Sequence, residues 1–300
     1  MATEVTVRRA RADDAEPVAA LRRVVYPYKV MSTDALRRTI SAEHPGEERL
    51  ALVAEQDHRI VAWGNAGLNV WTSARGHSKI ALFVHPDHRR SGIGGTLAGC
   101  LHDHLHGAGA QRIQVFAQQD SVGFALGHGY AVTRTLHYAG VRLDALPPAP
   151  SAPEGIALRP YTELDPQAIY VAEMLAAADE PGDAPLDAMD YEQWLTDFWN
   201  DPAIDRNLSV AAVSGEEVLS FTIVGTDGDR IWSAFSGTIP LQRGRGLSKL
   251  VKSASLHRAH SNGVVSAYTS NDDRNGPMLA VNNWLGYRRV ATELGLARSS

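Results

Sequence analysis

Three hundred residues, against the ~150 typical of one domain, lead to an expectation of two cores of ordinary size. With 44% hydrophobic and 21% charged residues, 26 Gly and 15 Pro, the composition excludes bulk disorder and collagen-like repetition. The net charge of -5 divides unevenly: residues 1–143 carry 17 Lys/Arg against 13 Asp/Glu, residues 144–300 carry 12 against 21, and neither half has the long basic stripe of a nucleic-acid partner.

The first stretch, MATEVTVRRARADD, lacks an apolar segment, and no run of ~18 apolar residues follows, so a cytoplasmic protein with no membrane partner is expected. Cys100 is the single cysteine and cannot form an intrachain disulfide. In chain order, VTVRRA reads as a strand, DDAEPVAALRRVVYPYK and TDALRRTISAEH as helices, and LALVAEQ, RIVAWGNAGLN and KIALFVH as strands. A Gly-rich turn leads to the helix TLAGCLHDHLHGAG. The strand RIQVFAQ, the helix SVGFALGHG and the strands YAVTRTL and YAGVRL complete this half.

Pro147, Pro148, Pro150 and Pro153 then fall close together, which predicts a semi-rigid spacer over residues 144–155. Beyond it the order returns: GIALRPY as a strand, helices across 165–200, then LSVAAVS, EVLSFTIVG and IWSAFSGTI as strands. A second Gly-rich turn precedes the helix LSKLVKSASLHRAHSNG, the strand VVSAYTS and the helix GPMLAVNNWLGY. The repetition predicts two domains, 1–143 and 156–300, joined by the Pro-rich linker.

Both turns have the same chemistry. Gly92, Gly94 and Gly95, and Gly244 and Gly246, bring bare amides up to the N-terminus of a helix, whose dipole favours anions. Arg89, Arg90, Arg243 and Arg245 add positive charge. The phosphate-loop pattern GxxxxGK[ST] is absent, as is GxGxxG with an acidic residue ~20 positions on. What fits is Arg-x-x-Gly-x-Gly at Arg89–Gly94, with the variant Arg243-Gly244-Arg245-Gly246-Leu247-Ser248 in the second half.

On these residues the chain resembles a tandem GCN5-related N-acetyltransferase (GNAT), with a layout similar to that of the mycothiol synthases. The resemblance implies an α/β (α+β) fold class. Two tandem GNAT folds are expected, each a mixed, mostly antiparallel twisted sheet with a splayed central strand pair and flanking helices. It further implies that acetyl-CoA is the co-substrate, its diphosphate held by Arg89, Arg90, Ser91, Gly92, Ile93, Gly94 and Gly95 and by Arg243, Gly244, Arg245, Gly246, Leu247 and Ser248. Leu82, Phe83 and Val84, and Gly237, Thr238 and Ile239, would meet the pantetheine arm. The backbone of Ile239 would be the oxyanion donor. Downstream, Asn271, Asn275 and Asn282 ahead of Leu285-Gly286-Tyr287 match the family's second motif, against Gln118 and His128-Gly129-Tyr130 in the first half.

Departures accompany the matches. Where many relatives carry a Tyr that protonates the CoA thiolate, this chain has Ala125 and Asn282. Asn282 can still hydrogen-bond sulfur, so catalysis is expected in the C-terminal copy. No Glu opens either splayed strand, at His77-Ser78-Lys79 or Ile231-Trp232-Ser233, which implies a water-relayed base.

From Asp179 to Asp205 there are nine carboxylates and no Lys or Arg, with Tyr191, Trp194, Phe198 and Trp199 interleaved. If this segment borders the acceptor pocket, Asp187, Asp190 and Glu192 would attract a cationic amine. The plainer alternative is a solvated helix face with its aromatics turned to the core. His102, His104 and His106 read as residues of the helix leaving the turn, and no metal is expected. The expected activity is acetyl transfer to a primary amine of a small molecule, by a monomer with pseudo-dimeric halves or a homodimer. A non-catalytic acyl-CoA sensor and a protein N-acetyltransferase are the alternatives.

Overall fold

A computed structural model describes residues 5–42 and 44–300, which fold as two compact units. Neither unit is one continuous stretch. The first takes the described residues of Met1–Pro27, Thr33–Thr135 and Glu293–Ser300, and the second takes Tyr28–Ser32 and Leu136–Thr292.

In unit 1 the strands β1 (Thr6–Arg9), β2 (Leu50–Gln56), β3 (Arg59–Leu68) and β4 (His77–Val84) pair antiparallel in order. β5 (Arg112–Gln118) lies beside β4 in parallel, for His77–Lys79 against Arg112–Gln114 only. The last strand of the chain, β12 (Arg288–Ser299), closes the row by pairing its Glu293–Ser299 antiparallel with β5. Helix α1 (Ala15–Val25) packs on β3 and is followed by α2 (Thr33–Ser41). α1 stops four residues short of the expected helix because Pro27 pushes Tyr26 out of helical geometry. Ile93, Leu97, Leu101 and Leu105 recur every four residues along α3 (Ile93–Gly107). That single apolar stripe packs against Leu50, Leu52, Ala62, Ile80, Ile113 and Leu296. The short α4 (Val122–Gly127) follows β5.

Unit 2 repeats this plan. β7 (Ala157–Pro160), β8 (Val210–Ser214), β9 (Glu217–Asp227) and β10 (Arg230–Thr238) run antiparallel in order. β11 (Ser266–Asp272) pairs parallel with β10 at Arg230–Trp232 only, and antiparallel with Leu136–Arg142 of β6 (Ala131–Arg142). Helix α7 (Leu247–Ser261) contributes Leu256 and Ala259 to a core with Val141, Val224, Ile231 and Tyr287.

Four features differ from the sequence reading. The segments YAVTRTL and YAGVRL form one continuous strand, β6, and an unanticipated strand, β12, follows Tyr287. Helices do not fill residues 165–200. α5 (Pro166–Ala177) ends early, α6 (Tyr191–Trp194) is one turn continued as a π-helical turn to Trp199, and Pro181 and Pro185 interrupt the stretch between. The Pro-rich stretch lies within unit 2 and is tied down there, since the Pro147 carbonyl is 3.0 Å from His257 Nε2 of α7.

Candidate active site

Beyond Lys79 and Gln114 the parallel ladder of unit 1 stops, and β4 and β5 part. A cavity of about 670 Å³ opens there, lined on one side by Leu82, Phe83 and Val84 and on the other by Val115, Phe116 and Ala117. Arg89, Arg90, Gly92, Gly94 and Gly95 also line it, so the glycine turn and the parted strands share one space. Gly92 caps α3 at φ 86°, a left-handed conformation that suits glycine. The amides of Ile93, Gly94 and Gly95 open the helix and have no intrahelical acceptor. Arg89 is braced: its Nε donates to the Val84 carbonyl at 3.2 Å and its Nη1 to Asp120 at 2.8 Å. That grip joins the end of β4 to the segment after β5. Ser91 Oγ donates to the His88 carbonyl at 2.6 Å and closes the turn.

Unit 2 has the same turn. Gly244 and Gly246 both stand at φ 77°, and Gly246 caps α7. Arg243 repeats the brace, with Nε donating to the Thr238 carbonyl at 3.1 Å and Nη2 to Asp179 at 2.9 Å. Arg245 donates to Gln242. The interior differs in chemistry. Ser220, Thr238 and Ser248 form a chain of hydroxyls, with Thr238 Oγ1 2.9 Å from Ser220 Oγ and 2.8 Å from Ser248 Oγ. Six residues past the cap glycine, where unit 1 has the cavity-lining Ala98, unit 2 has Lys252. Its Nζ donates to Ser233 and Ser236 at 2.9 and 3.4 Å.

Residues 18–130 match the family model described as Acetyltransferase (GNAT) family. A protein named mycothiol acetyltransferase from Nocardioides sp. is 29% identical over 244 residues, 72% of this chain and 80% of that protein. One of the same name from Actinosynnema mirum is 27% identical over 78% of this chain and 79% of its own length. Among solved structures, a tandem GNAT protein from the clavulanic acid biosynthesis pathway superposes with a TM-score of 0.77 at 18% identity, covering 99% of this chain and 98% of that one. A GCN5-related N-acetyltransferase from Sphaerobacter thermophilus gives 0.75 at 21% identity, covering 98% and 95%. Residues 18–130 thus match the GNAT family by sequence, and the chain as a whole has the fold of the tandem GNAT proteins. It is an N-acetyltransferase, and GNAT acetyltransferases use acetyl-CoA as co-substrate.

Several expected site residues already have partners in the structure. The Ile239 N–H donates to the Leu219 carbonyl at 3.0 Å, so it is paired in the sheet and not free for an oxyanion, a correction to its expected role. Asn282 is buried, and its Nδ2 donates to Asn271 Oδ1 at 2.6 Å. Asn275 caps α8 (Gly276–Trp284) by accepting from the Met278 N–H. Asp190 caps α6, accepting from the Gln193 N–H at 2.8 Å, and both Asp190 and Glu192 are exposed. Of the interleaved aromatics Trp194 is buried, stacks with half-buried Tyr191 and donates from Nε1 to Glu173 at 2.8 Å.

Two buried groups escaped the sequence reading. Glu173 sits on α5 with its carboxyl pushed up to about 8 by burial, which the Trp194 hydrogen bond only partly offsets. Lys252 is held down to about 7 by burial. The available signal was a charged residue in line with an apolar helix stripe, between Leu247, Leu250, Val251 and Leu256. No group of three metal-ligating side chains occurs among the described residues, and no helix among them is long and apolar enough to cross a membrane.

Proposed function

We propose that this enzyme transfers the acetyl group of acetyl-CoA to a primary amine of a small molecule, and that unit 1 holds the donor. One observation carries the reading. The cavity of about 670 Å³ between β4 and β5 joins an apolar trough to the open amides of the Gly92 turn. The pantetheine arm suits the trough lined by Leu82, Val84 and Val115. The diphosphate suits the amides of Ile93, Gly94 and Gly95 beside Arg90. The thioester supplies an activated acyl carbon; the protein has to align a neutral amine with it and exclude water.

This moves turnover from the C-terminal copy, where the sequence led us to expect it, to the N-terminal one. Of the residues that favoured the second copy, Asn275 is used in capping and Asn282 Nδ2 donates to Asn271, while the unpartnered Asn282 Oδ1 is an acceptor and cannot donate to a thiolate. Lys252 fills the position that Ala98 leaves open in unit 1. We read unit 2 as the copy that does not turn over, and 1–143 and 156–300 as the two copies of the duplication. Relatives named mycothiol acetyltransferase make a small-molecule amine the favoured acceptor class over a protein amine.

Calorimetric titration of acetyl-CoA, with thiol release measured over a panel of small primary amines, tests this in the full chain. Turnover is expected to vanish in Gly92→Asp and to survive in Gly246→Asp. The opposite pattern would return catalysis to the second copy.

A further inference from the structure

Of the four lysines in the chain, Lys252 is the buried one, while Lys29, Lys79 and Lys249 are half-buried or exposed. Its amine lies where β10 and β11 part. Their parallel ladder ends at Trp232 and Tyr268, and one residue further on Thr269 Oγ1 donates to the Ser233 carbonyl at 3.0 Å as a last bridge between the strands. Lys252 Nζ is 2.9 Å from Ser233 Oγ and 3.4 Å from Ser236 Oγ, which puts it at the inner end of the gap. From Ser233 to Thr238, at the start of the glycine turn, β10 runs roughly 16 Å, a span that an extended pantetheine arm covers.

The match to unit 1 is set from both ends of the strand. At the ladder end Trp232 corresponds to Lys79, so Ser233 corresponds to Ile80. At the turn end the Thr238 carbonyl accepts from Arg243 as the Val84 carbonyl accepts from Arg89, so Ser236 corresponds to Leu82. The irregularity between Ser233 and Phe235 takes up the extra residue. Ile80, Leu82 and Ala98 all line the unit 1 cavity, and their counterparts Ser233, Ser236 and Lys252 are the three residues joined in unit 2.

Burial holds the Lys252 amine down to about 7, and among the described residues no carboxylate pairs with it. A neutral amine has two N–H groups and a lone pair. The two serine hydroxyls accept from the N–H groups, which leaves the lone pair for an electrophile.

We propose that Lys252 is a self-acetylation site, at which acetyl-CoA held on the Gly246 turn transfers its acetyl group once to Lys252 Nζ. The nitrogen lone pair attacks the thioester carbon, the C–S bond breaks, and its electron pair leaves on sulfur. The proton shed by the nitrogen passes to that sulfur, giving CoA–SH and an Nε-acetyl-lysine. The amide so formed is uncharged, and the cost of burying an amine without a counter-charge is removed. The acceptor stays in the chain, so unit 2 reacts once and does not cycle. Unit 1, with Ala98 at this position, has no such acceptor. The inference rests on acetyl-CoA as the donor and is independent of the assignment of turnover to unit 1.

Incubation of the full chain with acetyl-CoA deuterated in its acetyl group, with no amine added, tests this by peptide mass mapping. Lys252 should become labelled to near completion, with a burst of CoA–SH of equal amount that is missing in Lys252→Met. Gly246→Asp should slow the labelling of Lys252 about 10²-fold and leave that of Lys29 and Lys79 unchanged. An acetyl group already on Lys252 in the purified wild type should be absent from Gly246→Asp prepared alike. A second measurement needs no donor: the acetylated protein should melt above the unmodified one near pH 6, with the gap closing toward pH 10, because its Lys252 no longer titrates. Lys252 left unlabelled while acetyl-CoA binds, or labelled as fast in Gly246→Asp as in the wild type, would overturn the proposal. In Gly92→Asp the labelling of Lys252 should continue whether or not amine turnover is lost, which separates this idea from the one about unit 1. Failure of the wild type to bind acetyl-CoA at all would overturn both.

Discussion

Lys252 Nζ donates to Ser233 Oγ at 2.9 Å in unit 2, and among the described residues no carboxylate accompanies them. The lysine is 2% exposed, with the Ser236 hydroxyl and the Tyr287 ring also near its amine. Burying an amine without a counter-charge is unfavourable, so the position works against stability.

That penalty has a definite pH dependence. The folded lysine titrates at about 7 and the ordinary one at 10.5, so unfolding takes up a proton between those limits. Stability therefore rises with pH through that window, and the penalty is complete below it. Lys252→Met should melt above the wild type near pH 6, with the gap closing toward pH 10. The loss of the Ser233 hydrogen bond subtracts about 1 kcal/mol from the gain at every pH. Thermal denaturation at the two pH values checks this, and a gap that does not change with pH would contradict it.

Glu173 titrates in the opposite sense. Its folded carboxyl is pushed up to about 8 from 4.5, so the folded state holds the extra proton in that window. Stability falls as pH rises through it, and the penalty is complete above about pH 8. Glu173→Gln keeps an oxygen to accept from Trp194 Nε1 and carries no charge. It should match the wild type in denaturant midpoint near pH 5 and exceed it near pH 9.

Gly92 separates binding from folding. A Cβ there meets no atom within 4 Å, so the cost of Gly92→Ala is backbone strain alone, about 1 kcal/mol at φ 86°. Acetyl-CoA affinity in Gly92→Ala should fall far less than in Gly92→Asp, where a carboxylate sits against the expected diphosphate. An acidic residue at the N-terminus of α3 is itself favourable to the helix, so Gly92→Asp should fold normally. Circular dichroism alongside calorimetry distinguishes lost binding from lost structure.

Asp190 tests the acidic segment. Its side chain caps α6 through the Gln193 N–H, which makes it a structural residue. Asp190→Ala should lower stability by about 1 kcal/mol and leave the acceptor KM unchanged. A large rise in KM with unchanged stability would restore it to an acceptor site.

Much of the fold was legible because its signals are local. Leu97, Leu101 and Leu105 announce α3 by their spacing, and the alternation in LALVAEQ announces β2. The glycine turns were legible for the same reason, since Gly92 and Gly246 stand where the chain needs positive φ before a helix. The candidate site was legible in its donor half only. Lys252 was not legible, because its hydroxyl partners Ser233 and Ser236 lie 19 and 16 positions away and no short spacing connects them.

The sequence by itself determined the duplication, the elements of each copy and the two turns that suit an anion, all written in neighbouring side chains. Tertiary structure decided which strands complete each unit: β12 joins β5, and residues of β6 join β11, although each comes from the other half of the chain. Backbone hydrogen bonds carry no residue code, so strand partners are chosen by packing across the whole molecule. Tertiary structure likewise decided that Ala98 lines a cavity in one unit while Lys252, at the matching position of the other, donates to Ser233, because an apolar helix face reports its neighbours only once they are in place.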